Sequence, residues 1–563
     1  MIMNRIKLLS NKPTQIGFIY KMMLVFAFIS VSSCSEDVLD KIPLTSYSDA
    51  TVWTDASLVD AFINNVARVF PVDWNISSCF TDEMTRRNNV AYNTINEGGL
   101  TPSNTAPLNF WSNYYSSGQG GLYTGGYFAV VSRCNIFFKN IASATFAEAT
   151  KNRMIGEMKF YRAYAYFRLA TIYNGVPLVT KTFELTDDFY LRRNTYDECM
   201  AFVMSELEEA ISLLPLSFAA KDIGHITKGT AMAAKARALL YMASPLNNPS
   251  NDQAKWRAAE AATQAVIDLG IYSLYPEYRK SYLEVAKYNS EIIWNRLYNN
   301  KLFTEFSLEL SHMPPGYYGY AHVHPLQNMV DEYEMKTGLL PSQDPEYDPQ
   351  NPWVNRDPRF YDCILYNGAP FQGRAVEIFL PGGMDSNQGP IEAWNATTTG
   401  YYVKKFCDES IVVPRGSNQG NTPFPHFRYN EIILNMAEIK YYLGDEPGCR
   451  QYINMIRSRP SVSMPPLAGT VTGADLLEKL RHERKVELFF DGHRFFDVRR
   501  WKIAEQVMDE DGRKVDVTRN PDGTINLAYK TFQPRDFQEK MYYMPIPVEE
   551  MNKNPNLEQN PGY

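Results

Sequence analysis

The sequence predicts a mainly α fold, a degenerate helical-repeat scaffold with a long irregular, partly β insert. Three observations carry this. Eight stretches repeat apolar residues at steps of three and four; two pairs of these stretches are spaced like helical hairpins; and residues 271–425 between them are rich in Pro, Gly, Tyr and Asn.

In chain order, residues 1–33 read as a signal peptide. Arg5, Lys7, Lys12 and Lys21 precede the apolar run 22–33. As a helix that run is about 18 Å long, against a hydrocarbon core of about 30 Å, so it is too short to span. Ser32 and Ser33 before Cys34 look like a bacterial lipobox, which predicts a diacylglycerol on the Cys34 thiol. Several acyl chains give the multiple anchors that stable attachment requires. Ser35, Glu36 and Asp37 resemble the acidic export tag of surface lipoproteins in Bacteroidetes.

Residues 34–563 read as one domain, with a helical scaffold over about 50–270 and 426–510 and an irregular ligand-binding region over about 271–425. The first helix, 57–70, carries the stripe Leu58, Phe62, Val66 and Val69 and stops at Pro71. The next, 153–173, spaces Met158, Tyr161, Ala165, Leu169 and Ile172 and ends on Asn174 and Gly175, a C-cap before Pro177. Helices follow at 196–214, 229–243, 254–269, 431–443, 447–458 and 474–490. The pairs 229–243 with 254–269 and 431–443 with 447–458 are spaced like tetratricopeptide hairpins, although no strict repeat of about 34 residues is legible. Trp294, in the β-like run 291–298, reads as a buried strand residue.

A net charge of −7 disfavours phosphate backbones, so no nucleic-acid partner is expected. Beyond Cys34, six cysteines (79, 134, 199, 363, 407 and 449) form no CxxC pair; they read as buried small hydrophobes without bridges. No cofactor motif occurs, and no metal is expected. Asp344, Glu346 and Asp348 alternate as in a calcium loop, but Pro349 takes the place of the sharp-turn Gly and Asn355 that of the closing Glu. His312, His322 and His324 lack an evident carboxylate partner, and Gly118, Gly120 and Gly121 read as a surface loop. In the block 483–501, signs alternate at steps of three and four, the pattern of a structural ion-pair network rather than of catalytic acids.

Several segments are similar to the SusD/RagB family of outer-membrane nutrient-binding lipoproteins. They are 154–170 with 174–179, 227–241, Asn355-Arg356-Asp357-Pro358-Arg359-Phe360, 429–439, 483–501 and the C-terminal run 542–563. Lys485 stands where the family usually has Arg, and Asp491 where it usually has Glu. The resemblance implies a non-enzymatic, surface-exposed outer-membrane lipoprotein that captures a glycan and serves a SusC-like TonB-dependent transporter. Peptide capture is the alternative, and a surface glycoside hydrolase a more remote one.

Aromatic residues make up 13% of the chain, with 37 Tyr against 31 Phe. Sugar rings lie against Trp and Tyr faces while their hydroxyls need short polar partners. Two stretches combine these. The first runs over 73–115, with Trp74, Asp82, Arg86 and Trp111 as candidates and Arg87, Asn88 and Asn89 alongside; the second, 314–324, offers Tyr317, Tyr318 and Tyr320 on a Gly/Pro loop. Trp353 and Trp394 are secondary candidates.

Overall fold

The computed structural model describes residues 52–71, 77–87, 90–111, 126–299, 307–413 and 420–563; Cys34 and Trp74 lie outside the described residues. The first long helix, α1 (Ala56–Val69), begins on Asp55, whose carboxylate accepts the Ser57 N–H at 2.8 Å, and stops before Pro71. Its buried row is Val59, Ile63, Val66 and Val69, with Leu58 and Phe62 half-buried beside it. Val66 and Val69 are buried as expected, while Val59 and Ile63 take the inward places expected of their neighbours Leu58 and Phe62, the apolar stripe being wide enough to hold both.

A helix that the sequence reading passed over follows, α2 (Gly126–Ile141). Polar Asn135 interrupts its apolar face, and burial is possible there because the Asn135 side chain donates to the Val179 carbonyl at 2.9 Å and accepts from Arg162 at 2.9 Å. Central to the scaffold is α3 (Glu148–Tyr173), buried on almost every side from Met154 onward. It ends on Asn174 in the left-handed conformation. At Gly156 a Cβ would stand 2.9 Å from Leu214 Cγ, so the absent side chain lets the end of the next helix approach. That helix, α4 (Tyr196–Leu213), opens with a Thr195–Glu198 capping box. Then come α5 (Lys228–Ala243), whose buried Ala231, Ala233, Ala234, Ala236 and Ala238 permit close packing, and α6 (Gln253–Ile267).

Each of these helices packs on its successor in the chain, giving the expected tetratricopeptide-like series. The series continues across the insert. α6 packs directly on α7 (Tyr429–Tyr442), where Trp256 stacks on Tyr442 with ring centroids 4.2 Å apart. Beyond it lie α8 (Glu446–Arg457), α9 (Gly473–Glu487) and α10 (Arg494–Arg500).

The short strands β1 (Met84–Arg86), β2 (Ile292–Arg296), β3 (Val323–Pro325), β4 (Phe424–Arg428), β5 (Gly512–Arg519) and β6 (Ile525–Gln533) form antiparallel pairs β1/β3, β2/β4 and β5/β6. The β2/β4 ladder pairs segments near the two ends of the insert, with β2 against α5 and β4 running into α7. Trp294 lies in β2 and is buried, as expected.

Charged residues of 483–501 pair with the insert and with neighbouring helices. Arg359 donates to Asp357, Glu483 and Glu487; Arg457 joins Glu334 to Glu483; Arg500 meets Glu438 and Asp497. All are buried, and burial of a charge is tolerable only with such pairing. Glu483 shows the balance: burial works to raise its carboxyl, yet Arg359 and Arg457 hold it down at about 2. The six described cysteines are buried and free. No helix among the described residues is long and apolar enough to cross a membrane.

Candidate functional site

The loop 314–324 folds back on the short helix Leu308–His312, with the Tyr320 N–H on the Leu310 carbonyl at 2.7 Å and the His322 N–H on the Ser311 carbonyl at 2.9 Å. Pro315–Tyr317 make a single tight turn, Tyr318 is left-handed, and at Gly319 a Cβ would come within 1.9 Å of the Met313 carbonyl oxygen. From this turn to β3 burial alternates with period two. Tyr317, Gly319, Ala321 and Val323 face inward, and Tyr318, Tyr320 and His322 are half-buried.

The three tyrosines therefore divide. Tyr317 is 8% exposed, donates its hydroxyl to the Phe371 carbonyl at 3.0 Å and lies 3.9 Å beneath the Arg374 guanidinium, itself paired with Asp385. Tyr318 and Tyr320 remain at the surface.

β1 brings the 73–115 stretch to the same place. The Arg87 N–H donates to the His322 carbonyl at 3.2 Å, and Arg87 Nη1 donates both to the Tyr320 carbonyl at 2.7 Å and to Asn395 Oδ1 at 2.5 Å. Asn395 in turn donates to Glu392 Oε2 at 3.1 Å. One guanidinium thus joins three segments far apart in sequence, and the residue next to Asn395 is Trp394, 69% exposed. Arg86 lies over the Tyr92 ring, 5.2 Å from its centroid, with Nη1 buried and without a partner. The histidines beneath are kept neutral: burial, aided by Arg86, pushes His322 down to about 3, and burial, aided by Arg87, does the same to His324.

Two candidates belong to the core instead. Asp82 is 5% exposed and receives Arg494 at Oδ1 (2.8 Å) and Oδ2 (2.7 Å), and Lys485 at Oδ2 (2.8 Å). Burial works to raise its carboxyl, and Arg494 and Lys485 outweigh burial and hold it well below the usual carboxylate range. Its oxygens are spent on cations and turned away from solvent. Trp111 is 5% exposed, packed against Phe128 and Tyr173 at 4.9 and 5.3 Å. Of the secondary candidates, Trp353 stacks on Tyr366 at 4.8 Å, and only Trp394 stands out from the surface. Asp344 accepts from the Glu346 N–H at 2.7 Å, a local turn, and no group of metal-ligating side chains occurs among the described residues.

Arg87 ties Tyr320 to Asn395, with Tyr318 two residues before the one and Trp394 next to the other; Asn395 is buried with both amide atoms engaged, so the groups left at the surface to stack a sugar ring and bond its hydroxyls are the rings of Tyr318, Tyr320 and Trp394 and the remaining nitrogens of Arg87. Arg87 was named from sequence only alongside the candidates, and Asn395 not at all. Their roles rest on contacts 233 and 308 residues away in the chain, which no local pattern records.

Comparison with known proteins agrees with this architecture. Residues 283–563 match the family described as SusD family, and residues 37–240 match one described as starch-binding, associating with outer membrane. A SusD-like protein of Bacteroides fragilis of known structure superposes with a TM-score of 0.78 at 27% identity, covering 93% of this chain and 100% of that one. A second B. fragilis structure, of a SusD-like carbohydrate-binding protein, gives a TM-score of 0.75 at 24% identity over 90% of this chain and 100% of its own. SusD-like protein P25 of Formosa agariphila is 22% identical over 448 residues, 76% of each chain.

Proposed function

The chain belongs to the SusD/RagB family, and on that premise we propose that it is a cell-surface lipoprotein, anchored in the outer membrane through Cys34, that captures a glycan. It hands that glycan to a SusC-like TonB-dependent transporter and performs no chemistry on it. The observation that carries this reading is Trp394. An indole 69% exposed, next to the Asn395 that Arg87 ties to Tyr320, is a surface awaiting an apolar face. Stacking a sugar on it removes that face from water while the hydroxyls meet the free nitrogens of Arg87. A carbohydrate-binding protein among the structural relatives supports the ligand class. The nearby carboxylates support binding rather than hydrolysis, since Asp385 is buried and held by both Arg374 Nη atoms and Glu392 is engaged by Asn395.

The test is calorimetry of the full chain in detergent micelles against a panel of soluble polysaccharides. At least one is expected to bind, and Trp394→Ala with Tyr320→Ala is expected to weaken it by roughly fivefold per ring, about 1 kcal/mol each. Failure of the whole panel, binding of peptides in its place, or a steady release of new reducing ends would overturn the reading.

A further inference from the structure

Arg87 spends only part of its hydrogen-bonding capacity. Its Nη1 serves two neutral acceptors, the Tyr320 carbonyl and Asn395 Oδ1, while Nε and Nη2 meet no partner among the described residues. Two other arginines without an acidic partner commit more of their capacity, although Arg296 and Arg499 also leave a nitrogen without a partner among the described residues. Arg356 commits Nε, Nη1 and Nη2 to main-chain carbonyls, and Arg193 also uses all three nitrogens. The unused side of Arg87 is the Nε/Nη2 edge, two parallel N–H groups that match the two oxygens of a carboxylate.

The local charge points the same way. Arg86 is adjacent, its Nη1 buried and unbonded, and neither guanidinium forms an ion pair with a described residue. The acid that comes nearest through hydrogen bonds, Glu392, is separated from Arg87 by Asn395. His322 adds no compensating charge. In a protein of net charge −7, two neighbouring guanidiniums without a carboxylate between them are a local excess of positive charge. Burial, with the repulsion of Arg86 added, depresses the Arg87 pKa, a cost that a bound anion would relieve. The excess sits beside half-buried Tyr320 and, through Asn395, next to exposed Trp394.

Resting on the glycan-capture reading, we propose that the Nε/Nη2 edge of Arg87 is a subsite for the carboxylate of an acidic sugar, so that the ligand is a glycan containing uronic acid. The sugar ring lies on Trp394 or Tyr320, and its carboxylate receives two N–H groups from Arg87 in place of water. Asn395 holds the guanidinium plane, which makes the subsite bidentate rather than a diffuse positive patch.

The test uses the full chain in detergent micelles and five probes: homogalacturonan, alginate, fully methyl-esterified homogalacturonan, a sulfated galactan and a neutral galactan. The expected result is binding of one or both uronate polymers, at least tenfold stronger than of the esterified or neutral polymers. Arg87→Gln should remove that tenfold preference, and Arg87→Lys should restore less than half of it on a logarithmic scale. The comparison between homogalacturonan and its methyl ester is made on the unaltered chain, so it decides the matter even if the Arg87 variants misfold. Equal binding of neutral and uronate polymers, uronate binding indifferent to Arg87→Gln, or a preference confined to the sulfated galactan would overturn the subsite and leave glycan capture standing. Absence of binding to every polysaccharide would overturn glycan capture itself.

Discussion

Replacing Asp82 by Asn separates a structural from a ligand-contacting role. The substitution keeps the side-chain shape and removes the charge. It leaves Arg494, which makes bonds of 2.8 and 2.7 Å to the carboxylate, without an anionic partner, and leaves Lys485 with Glu332 alone at 2.7 Å. Breaking a buried pair by removing one partner costs about 3–5 kcal/mol. Since Lys485 keeps one acid, the lower end, about 3 kcal/mol, is expected. The measurement is the shift of the urea midpoint multiplied by an unchanged m value. The pH dependence supplies an independent sign. The folded pKa of Asp82 is depressed, so its contribution is present in full above its unfolded value of about 3.9 and is lost as pH falls from there toward the folded value. The gap between unaltered chain and variant should narrow below about pH 4. A midpoint shift worth less than about 1 kcal/mol at pH 7, or a loss of glycan affinity with stability intact, would refute the reasoning and return Asp82 to the binding site.

Three further outcomes are expected. Trp111→Ala should cost about 3–5 kcal/mol of stability through the cavity left between Phe128 and Tyr173, with glycan affinity unchanged in the folded protein; weakened binding at unchanged stability would contradict its placement. Gly319→Ala, which drives a Cβ to 1.9 Å from the Met313 carbonyl oxygen, should displace Tyr318 and Tyr320 and weaken glycan binding at least tenfold; calorimetry showing unaltered affinity would contradict the loop's role. His225 bonds Glu157 Oε2 at 2.8 Å, and this hydrogen bond, opposed by burial and by Arg153, raises its pKa. Its contribution is full below the unfolded value of about 6.5 and is lost as pH rises through the folded value, so between pH 6 and pH 9 the urea midpoint should fall further for the unaltered chain than for His225→Gln. Equal falls would show that the pair does not couple to folding.

How much of this was legible in the sequence depended on the range of the interactions involved. Helix existence is a local matter, and the stripes on 153–173 and 431–443 correspond to α3 and α7 within a few residues. The resemblance to the SusD/RagB family rested mostly on scaffold segments, with 355–360 and the C-terminal run 542–563 added; none of these holds the candidate ligand contacts, so it carried the fold without carrying them. α2 was legible by the same rule, since Tyr127, Val130, Cys134, Phe137 and Ile141 recur at steps of three and four, and was passed over; only the burial of Asn135 was out of reach, because the groups that make it tolerable, Arg162 and the Val179 carbonyl, lie on other segments. Tyr317 could have been separated from Tyr318 and Tyr320 by the period-two alternation leading into β3, a signal present in the sequence and passed over in favour of the composition of the loop. Asp82 could not have been resolved in this way. Asp82 and Arg86 read alike as polar residues near aromatics; one is fixed by Lys485 and Arg494, which lie 403 and 412 residues further along, while the other is left with a buried, unbonded nitrogen. A charged residue near an aromatic cluster is therefore an ambiguous sign of a binding site. What distinguishes a ligand contact is a donor or acceptor that the fold has oriented and left unspent, and that property belongs to Arg87 only once Tyr320 and Asn395 have taken one of its nitrogens.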